Sequence, residues 1–167
     1  MRRVRGLVCV ARSSFWSGTV LFGKEREGHG QDGVEPLEMN GIVPFAARSE
    51  ARAALERLKR RRGVLSVRLG MLTMDIGRAE RDLQKLRKKR SLIVVADLEG
   101  VQPFFGRTVE GCPILGGIPA ADLRLNGMKP FRRFREAEHV VFEVRRQAQS
   151  YASIASFKLE IPRRKGA

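Results

Sequence analysis

The sequence predicts an α+β protein, mainly α, with one long basic amphipathic helix, continuous or kinked, a smaller C-terminal helix and short strands. Two patterns predict it. Apolar residues between Ala51 and Leu86 return at alternating spacings of three and four (Leu55, Leu58, Leu65, Leu69, Leu72, Ile76, Ala79, Leu83, Leu86), broken only by Arg62. That is the spacing of a helical face buried against another helix. The same period resumes after Phe131 through Phe134, Ala137, Val141, Val144, Ala148, Tyr151 and Ala155.

Three segments follow along the chain. Residues 1–46 read as a basic and then Gly-rich N-terminal extension, flexible over residues 23–41, where five glycines stand among polar residues without apolar periodicity. Residues 47–91 read as the heptad-patterned helix. Ser49 suits its N-cap, Glu50 the positive end of the dipole, and Lys85, Arg87, Lys88, Lys89 and Arg90 the negative end. Unbroken, about 42 residues would make a rod roughly 60 Å long, which has to project or fold back. Gly63, Gly70 and Gly77 weaken that helix, and Leu65, Val67, Leu69 and Met71 alternate with Ser66, Arg68 and Gly70 as a half-buried strand would. Residues 63–77 therefore carry both a helical and an extended reading.

Residues 92–167 read as a small α+β region. Leu92 to Ala96 is a short, β-branched apolar run, the pattern of a buried strand. Residues 97–130 are loop-rich, with glycines and prolines that prevent a long helix. A helix from Phe131 follows, in competition with a strand over 139–145. Phe157, Leu159 and Ile161 alternate with Lys158 and Glu160 as the clearest strand in the chain, and Arg163, Arg164 and Lys165 form a basic tail.

Charge is the strongest compositional feature. The 167 residues hold 33 Lys/Arg against 18 Asp/Glu, a formal charge of +15. Residues 47–91 alone hold fifteen cations and five acids. Such a surface draws nucleic acid, anionic headgroups or acidic proteins. The expected function is a non-enzymatic, nucleic-acid-contacting structural protein, a subunit of a ribonucleoprotein or other large assembly, with RNA placed slightly ahead of DNA. Its expected phosphate contacts are Arg60, Arg61, Arg62, Arg68, Lys85, Arg87, Lys88, Lys89 and Arg90, with Arg163, Arg164 and Lys165 in the tail. The alternative is a coiled-coil assembly or adaptor protein that meets an acidic partner or a membrane surface. Its helix-partner face would be Leu55, Leu58, Leu65, Leu69, Leu72, Ile76, Leu83 and Leu86. A basic leucine zipper is disfavoured, because the segment before the leucines offers only Arg48, Arg52 and Arg57.

Chemistry-bearing residues are few. Cys9 and Cys112 are too sparse for a disulfide framework, so an intracellular, reducing compartment is expected. No metal-ligand spacing and no phosphate-cradling loop occurs, and a Cys112–His139 nucleophile pair has no local signature. No cofactor and no enzymatic activity are expected. No apolar run is long enough to span a bilayer. Residues 1–24, basic and serine-containing without an acid, also resemble an organellar presequence.

Overall fold

The computed structural model describes residues 1–14, 19–26, 33–98, 100–106, 121–122, 129–149 and 151–162. The chain runs β1 (Arg2–Ser13), β2 (Thr19–Lys24), β3 (Val34–Pro36), α1 (Arg48–Arg60), β4 (Val64–Ile76), α2 (Glu80–Leu86), β5 (Leu92–Asp97), β6 (Phe104–Gly106), β7 (Ala121–Asp122), α3 (Phe134–Ala148) and β8 (Tyr151–Glu160). The strands form one sheet in the order β3-β2-β1-β4-β8-β5-β6-β7, every neighbouring pair antiparallel.

The expected long helix and its coiled coil are not there. Residues 47–91 divide into a 13-residue helix, a 13-residue strand and a 7-residue helix. The fold is mainly β, not mainly α. Helix α1 starts after Ala47, so Ser49 lies inside its first turn, and it ends where Arg61 turns extended and Gly63 takes a φ of +84°, a conformation that suits glycine. Beyond that turn the extended reading of residues 63–77 is the correct one. Strand β1 offers its backbone groups to any partner, and β4 pairs with it from Arg2↔Ile76 to Ser13↔Val64. A helix at β4 would leave those groups, and those of β8 beyond, without a ladder.

The leucine stripe is a coincidence of spacing across elements. Leu58 lies in α1 and is fully buried, and Leu55 beside it is half-buried. In β4, Leu69 points to the α1 side and is half-buried. Leu72 and Ile76 point to the opposite face and are buried, while Leu65 is 69% exposed. Leu83 and Leu86 sit in α2 against the second half of the sheet. The N-terminal residues supply three strands, with β1 near the middle of the sheet, and its run Leu7 to Ala11 is apolar on both faces because both are covered. The strand expected at residues 92–96 is β5, the second helix is α3, and the alternation over 157–161 belongs to β8, which begins already at Tyr151.

One face of the sheet packs under α1 and, separately, under α2 and α3. The other curls on itself around Val4, Val8, Leu72, Met74, Ile93, Ala155 and Phe157, with Leu37 and Ile42 from the turn after β3 filling it. The Gln102 amide donates to the Glu38 carbonyl at 2.6 Å and ties the two ends of the curl together.

The architecture is a duplication. The units β1-β2-β3-α1-β4 and β5-β6-β7-α3-β8 have the same element order, and their strands run outward from the β4–β8 pair in matching order. Register agrees residue by residue. Cys9↔Phe22 matches Val94↔Phe105, Ala11↔Val67 matches Ala96↔Ala152, and the isolated bridge Leu7↔Phe45 matches Leu92↔Phe131. Ala51, Ala54 and Leu58, the buried face of α1, match Ala137, Val140 and Val144 of α3. Left-handed Gly63 matches left-handed Gln149. The sequence carries the same repeat as Leu-x-x-Asn-Gly-x-x-Pro-Phe-x-x-x-x-Glu-Ala at 37–51 and again at 123–137. In the first copy buried Asn40 donates to the carbonyls of Lys24 and Val43, both at 2.8 Å, and accepts from the Val43 amide at 3.0 Å. These bonds hold the left-handed turn Gly41–Ile42.

The fold separates leucines that a heptad would treat alike. Leu72→Ala should cost about 3 kcal/mol, the range for emptying a core site, whereas Leu65→Ala should change stability by less than about 0.5 kcal/mol. Urea unfolding of the two variants, compared at unchanged slope, checks this; equal losses would restore the heptad.

Candidate functional site

Because α1 covers the α-side of the sheet at one end of the β4–β8 pair and α2 and α3 cover the other, the middle of that face is left as a cleft of about 850 Å³. Strand alternation decides what lines it. Arg3 and Arg5 of β1, Met71, Thr73 and Asp75 of β4, and Ser156, Lys158 and Glu160 of β8 all project to this face. Lys89, Arg90 and Ser91, between α2 and β5, close one side. Five cations thus meet two carboxylates.

Both carboxylates are engaged. Arg3 forks onto Asp75, with Nε to Oδ1 at 2.9 Å and Nη2 to Oδ2 at 3.3 Å. Lys158 Nζ stands 2.7 Å from Glu160 Oε1, and Lys158 foremost, with a smaller contribution from Arg5, holds the Glu160 carboxyl below its ordinary range. The side chains of Arg5, Lys89 and Arg90 make no hydrogen bond or ion pair among the described residues. The ladders place the pieces in register. Arg5 pairs with Thr73, and Thr73 with Lys158. The Phe157 amide donates to the Ser91 carbonyl at 3.0 Å, and Ser91 Oγ donates back to the Phe157 carbonyl at 2.7 Å, which sets Arg90 level with Lys158. One row across β1, β4, β8 and the segment entering β5 therefore reads Arg5, Thr73, Lys158, Arg90.

The row lies on the pseudo-twofold axis. Thr73 and Lys158 are equivalent positions of the two units and pair directly with each other, so the axis passes between them. The same relation exchanges Arg5 with Arg90 and Asp75 with Glu160.

Helix α2 delivers the Lys89–Arg90 side. Buried Asp82 accepts from the amides of Arg78 at 2.9 Å and Ala79 at 3.0 Å, satisfying donors at the helix start. These two bonds foremost, with the Met1 ammonium 3.4 Å from Oδ1, hold its carboxyl down at about 2.

The residues expected to contact phosphate do not form one stripe. Arg60 ends α1, Arg61 stacks over Phe22 with its guanidinium 5.7 Å from the ring centre, and Arg62 lies in the following turn. Arg68 is exposed on β4 on the face opposite the cleft. Lys85 lies in α2, Arg87 stacks over Phe134 at 5.1 Å, and Lys88 follows. Of that set only Lys89 and Arg90 line the cleft. Arg163, Arg164 and Lys165 lie outside the described residues. Arg3, Arg5 and Lys158 are site residues that the sequence reading does not reach; the 86-residue motif repeat sets Arg5 against Ser91, and the strand registers are what bring Arg5 to Arg90.

Other chemistry is thin among the described residues. Cys9 is buried, and burial pushes its thiol up to about 12, which keeps it protonated and inert at neutral pH. His139 lies exposed on α3, and Cys112 falls outside the described residues. No group of three or more His, Cys, Asp or Glu is placed to hold a metal, and no helix is long and apolar enough to cross a membrane, both among the described residues. Comparison with known proteins finds no matching family model, no similar curated sequence and no similar solved structure.

The Asp82 contact has a pH signature. Its carboxyl titrates near 2 in the folded chain and near 3.9 when unfolded, so its contribution is complete above about pH 4 and is lost as pH falls through about 2. The urea midpoints of the parent and Asp82→Asn should differ at pH 5 and converge towards pH 2. A difference that stays constant over that range would exclude the carboxylate as its source.

Proposed function

We propose that this is a non-enzymatic, nucleic-acid-contacting structural protein that holds phosphates in the cleft between its two halves. The expectation of a basic helix along the backbone is replaced by a sheet face. The supporting observation is the row Arg5, Thr73, Lys158, Arg90 with Lys89 beside it, in which the side chains of Arg5, Lys89 and Arg90 form no ion pair among the described residues and only Arg5 interacts, at longer range, with Glu160. Arginine suits phosphate because its planar fork donates two parallel hydrogen bonds. Among the described residues the lining presents no exposed aromatic side chain, Phe157 being buried beneath it, so contact is through the nucleic-acid backbone, independent of sequence. The cations on α1, α2 and α3 add a long-range field that concentrates a polyanion near the cleft.

Fluorescence anisotropy with a generic RNA and a duplex DNA at several salt concentrations tests this. Replacing Arg5, Lys89 and Arg90 together by alanine should weaken binding at least about tenfold and reduce the salt slope by about 2 to 3. Replacing Arg48, Arg52 and Arg60, three exposed residues of α1, removes the same charge and should do much less. Equal effects of the two triple variants, or no binding by the parent protein at low salt, would sink the assignment.

A further inference from the structure

We infer that the cleft is a bivalent phosphate clamp, in which Arg5 and Arg90, equivalent residues of the duplicated halves, each hold one phosphate of the same ligand on either side of the axis between Thr73 and Lys158. The inference rests on the polyanion reading above and specifies its ligand as a chain carrying at least two phosphates.

Three observations converge on it. The first is symmetry, since the registers that relate the two units carry Arg5 onto Arg90, and both side chains are exposed at the rim of one cleft. The second is the distribution of charge. The dyad-related carboxylates Asp75 and Glu160 are paired with Arg3 and Lys158, so that on each side of the axis one guanidinium, Arg5 or Arg90, forms no ion pair among the described residues, Arg5 feeling Glu160 only at longer range. The third is spacing. Arg5 lies on β1 and Arg90 two residues before β5, three strand intervals across the sheet, roughly 14 Å between backbones at about 4.8 Å per interval. A single phosphate would require both side chains to converge on the axis, where Lys158 already stands. Two phosphates, one on each side, use each arginine where it emerges. Lys158 and the Thr73 hydroxyl then face the linkage between the phosphates, and Lys89 reinforces the Arg90 arm.

The phosphates of a polynucleotide are alike along the chain, so two equivalent arms can hold separate phosphates of one strand. A free oligophosphate offers the same chemistry. In either case the second arm closes within one complex, so it acts at a high effective concentration and the two arms together bind more tightly than either alone.

The test uses the full chain with Arg5→Gln, Arg90→Gln and the double variant, changes at exposed positions outside the three apolar clusters. Probes are fluorescein-labelled oligouridylate, read by anisotropy across a salt series, and unlabelled tripolyphosphate and orthophosphate, read by calorimetry. The clamp predicts that each single substitution weakens oligouridylate binding by a similar factor, about tenfold, and lowers the salt slope by about 0.7, the double variant lowering it by about 1.4. Tripolyphosphate should bind more tightly than orthophosphate in the parent and lose that advantage in either single variant. If oligouridylate binds and one arginine proves silent, or the double variant is no worse than a single one, the clamp is wrong while the polyanion reading stands. If tripolyphosphate binds and oligouridylate does not, the clamp stands and its ligand is a free oligophosphate. Binding of neither overturns both.

Discussion

The antiparallel pairing of β4 with β8, from Met71↔Glu160 to Ile76↔Ala155, is the contact on which the rest of the molecule depends. Each half alone is a four-stranded sheet with one helix, and its fourth strand would end as an open edge. Joining those two edges makes one sheet, removes two aggregation-prone borders at once and brings Leu72, Met74, Ala155 and Phe157 into a common core on the curled face. The borders that remain, β3 and β7, are three and two residues long.

The same junction creates the cleft. Each helix packs over its own unit, α1 against Cys9, Ala11 and Val67, α3 against Val94, Ala96 and Ala152. A two-fold relation places them at opposite ends of the β4–β8 pair, so neither reaches the middle. Sheet face there stays open, and polar or charged side chains occupy positions that farther along the same strands are apolar. On β4 the odd-numbered series passes from Val67 and Leu69 under α1 to Thr73 and Asp75 in the cleft. On β8 the even-numbered series passes from Ala152 and Ile154 under α3 to Ser156, Lys158 and Glu160. The change from apolar to charged along one face of one strand marks where the covering helix ends.

How much of this was legible varies with how local each signal was. β5 and the end of β8 were visible because their apolar runs and alternation are contained within the elements. The second helix was visible for the same reason, although its period ran on past Ala148 into a strand. The stretch 63–77 was ambiguous. Apolar residues at both odd and even positions of a strand buried on two faces also satisfy a three-four spacing, so periodicity could not separate helix from strand there. Gly63 was the better guide, because its left-handed turn ends α1 and starts β4. The densest charge runs are the sequence's pointer to phosphate contact. Those runs fall at helix ends and turns on different sides of the sheet, and only Lys89 and Arg90 reach the cleft.

By itself the sequence determined the excess of positive charge, the few chemistry-bearing residues, the apolar run at 92–96 and the alternation over 157–161, and it carries the repeat of Leu-x-x-Asn-Gly-x-x-Pro-Phe 86 residues apart. Those depend on composition and on neighbours close along the chain. Tertiary structure decided that residues 64–76 are a strand, that Arg5 and Arg90 share a row, and that Asp75 and Glu160 each take up a cation beside them. Strand β4 pairs with β1, far earlier in the chain, Asp75 takes its cation from Arg3 and Thr73 meets Lys158, all across long stretches of sequence, whereas Glu160 finds its cation, Lys158, on its own strand. Backbone pairing over such separations depends on which strand edges remain open once the rest of the chain has folded, and no local pattern carries that information.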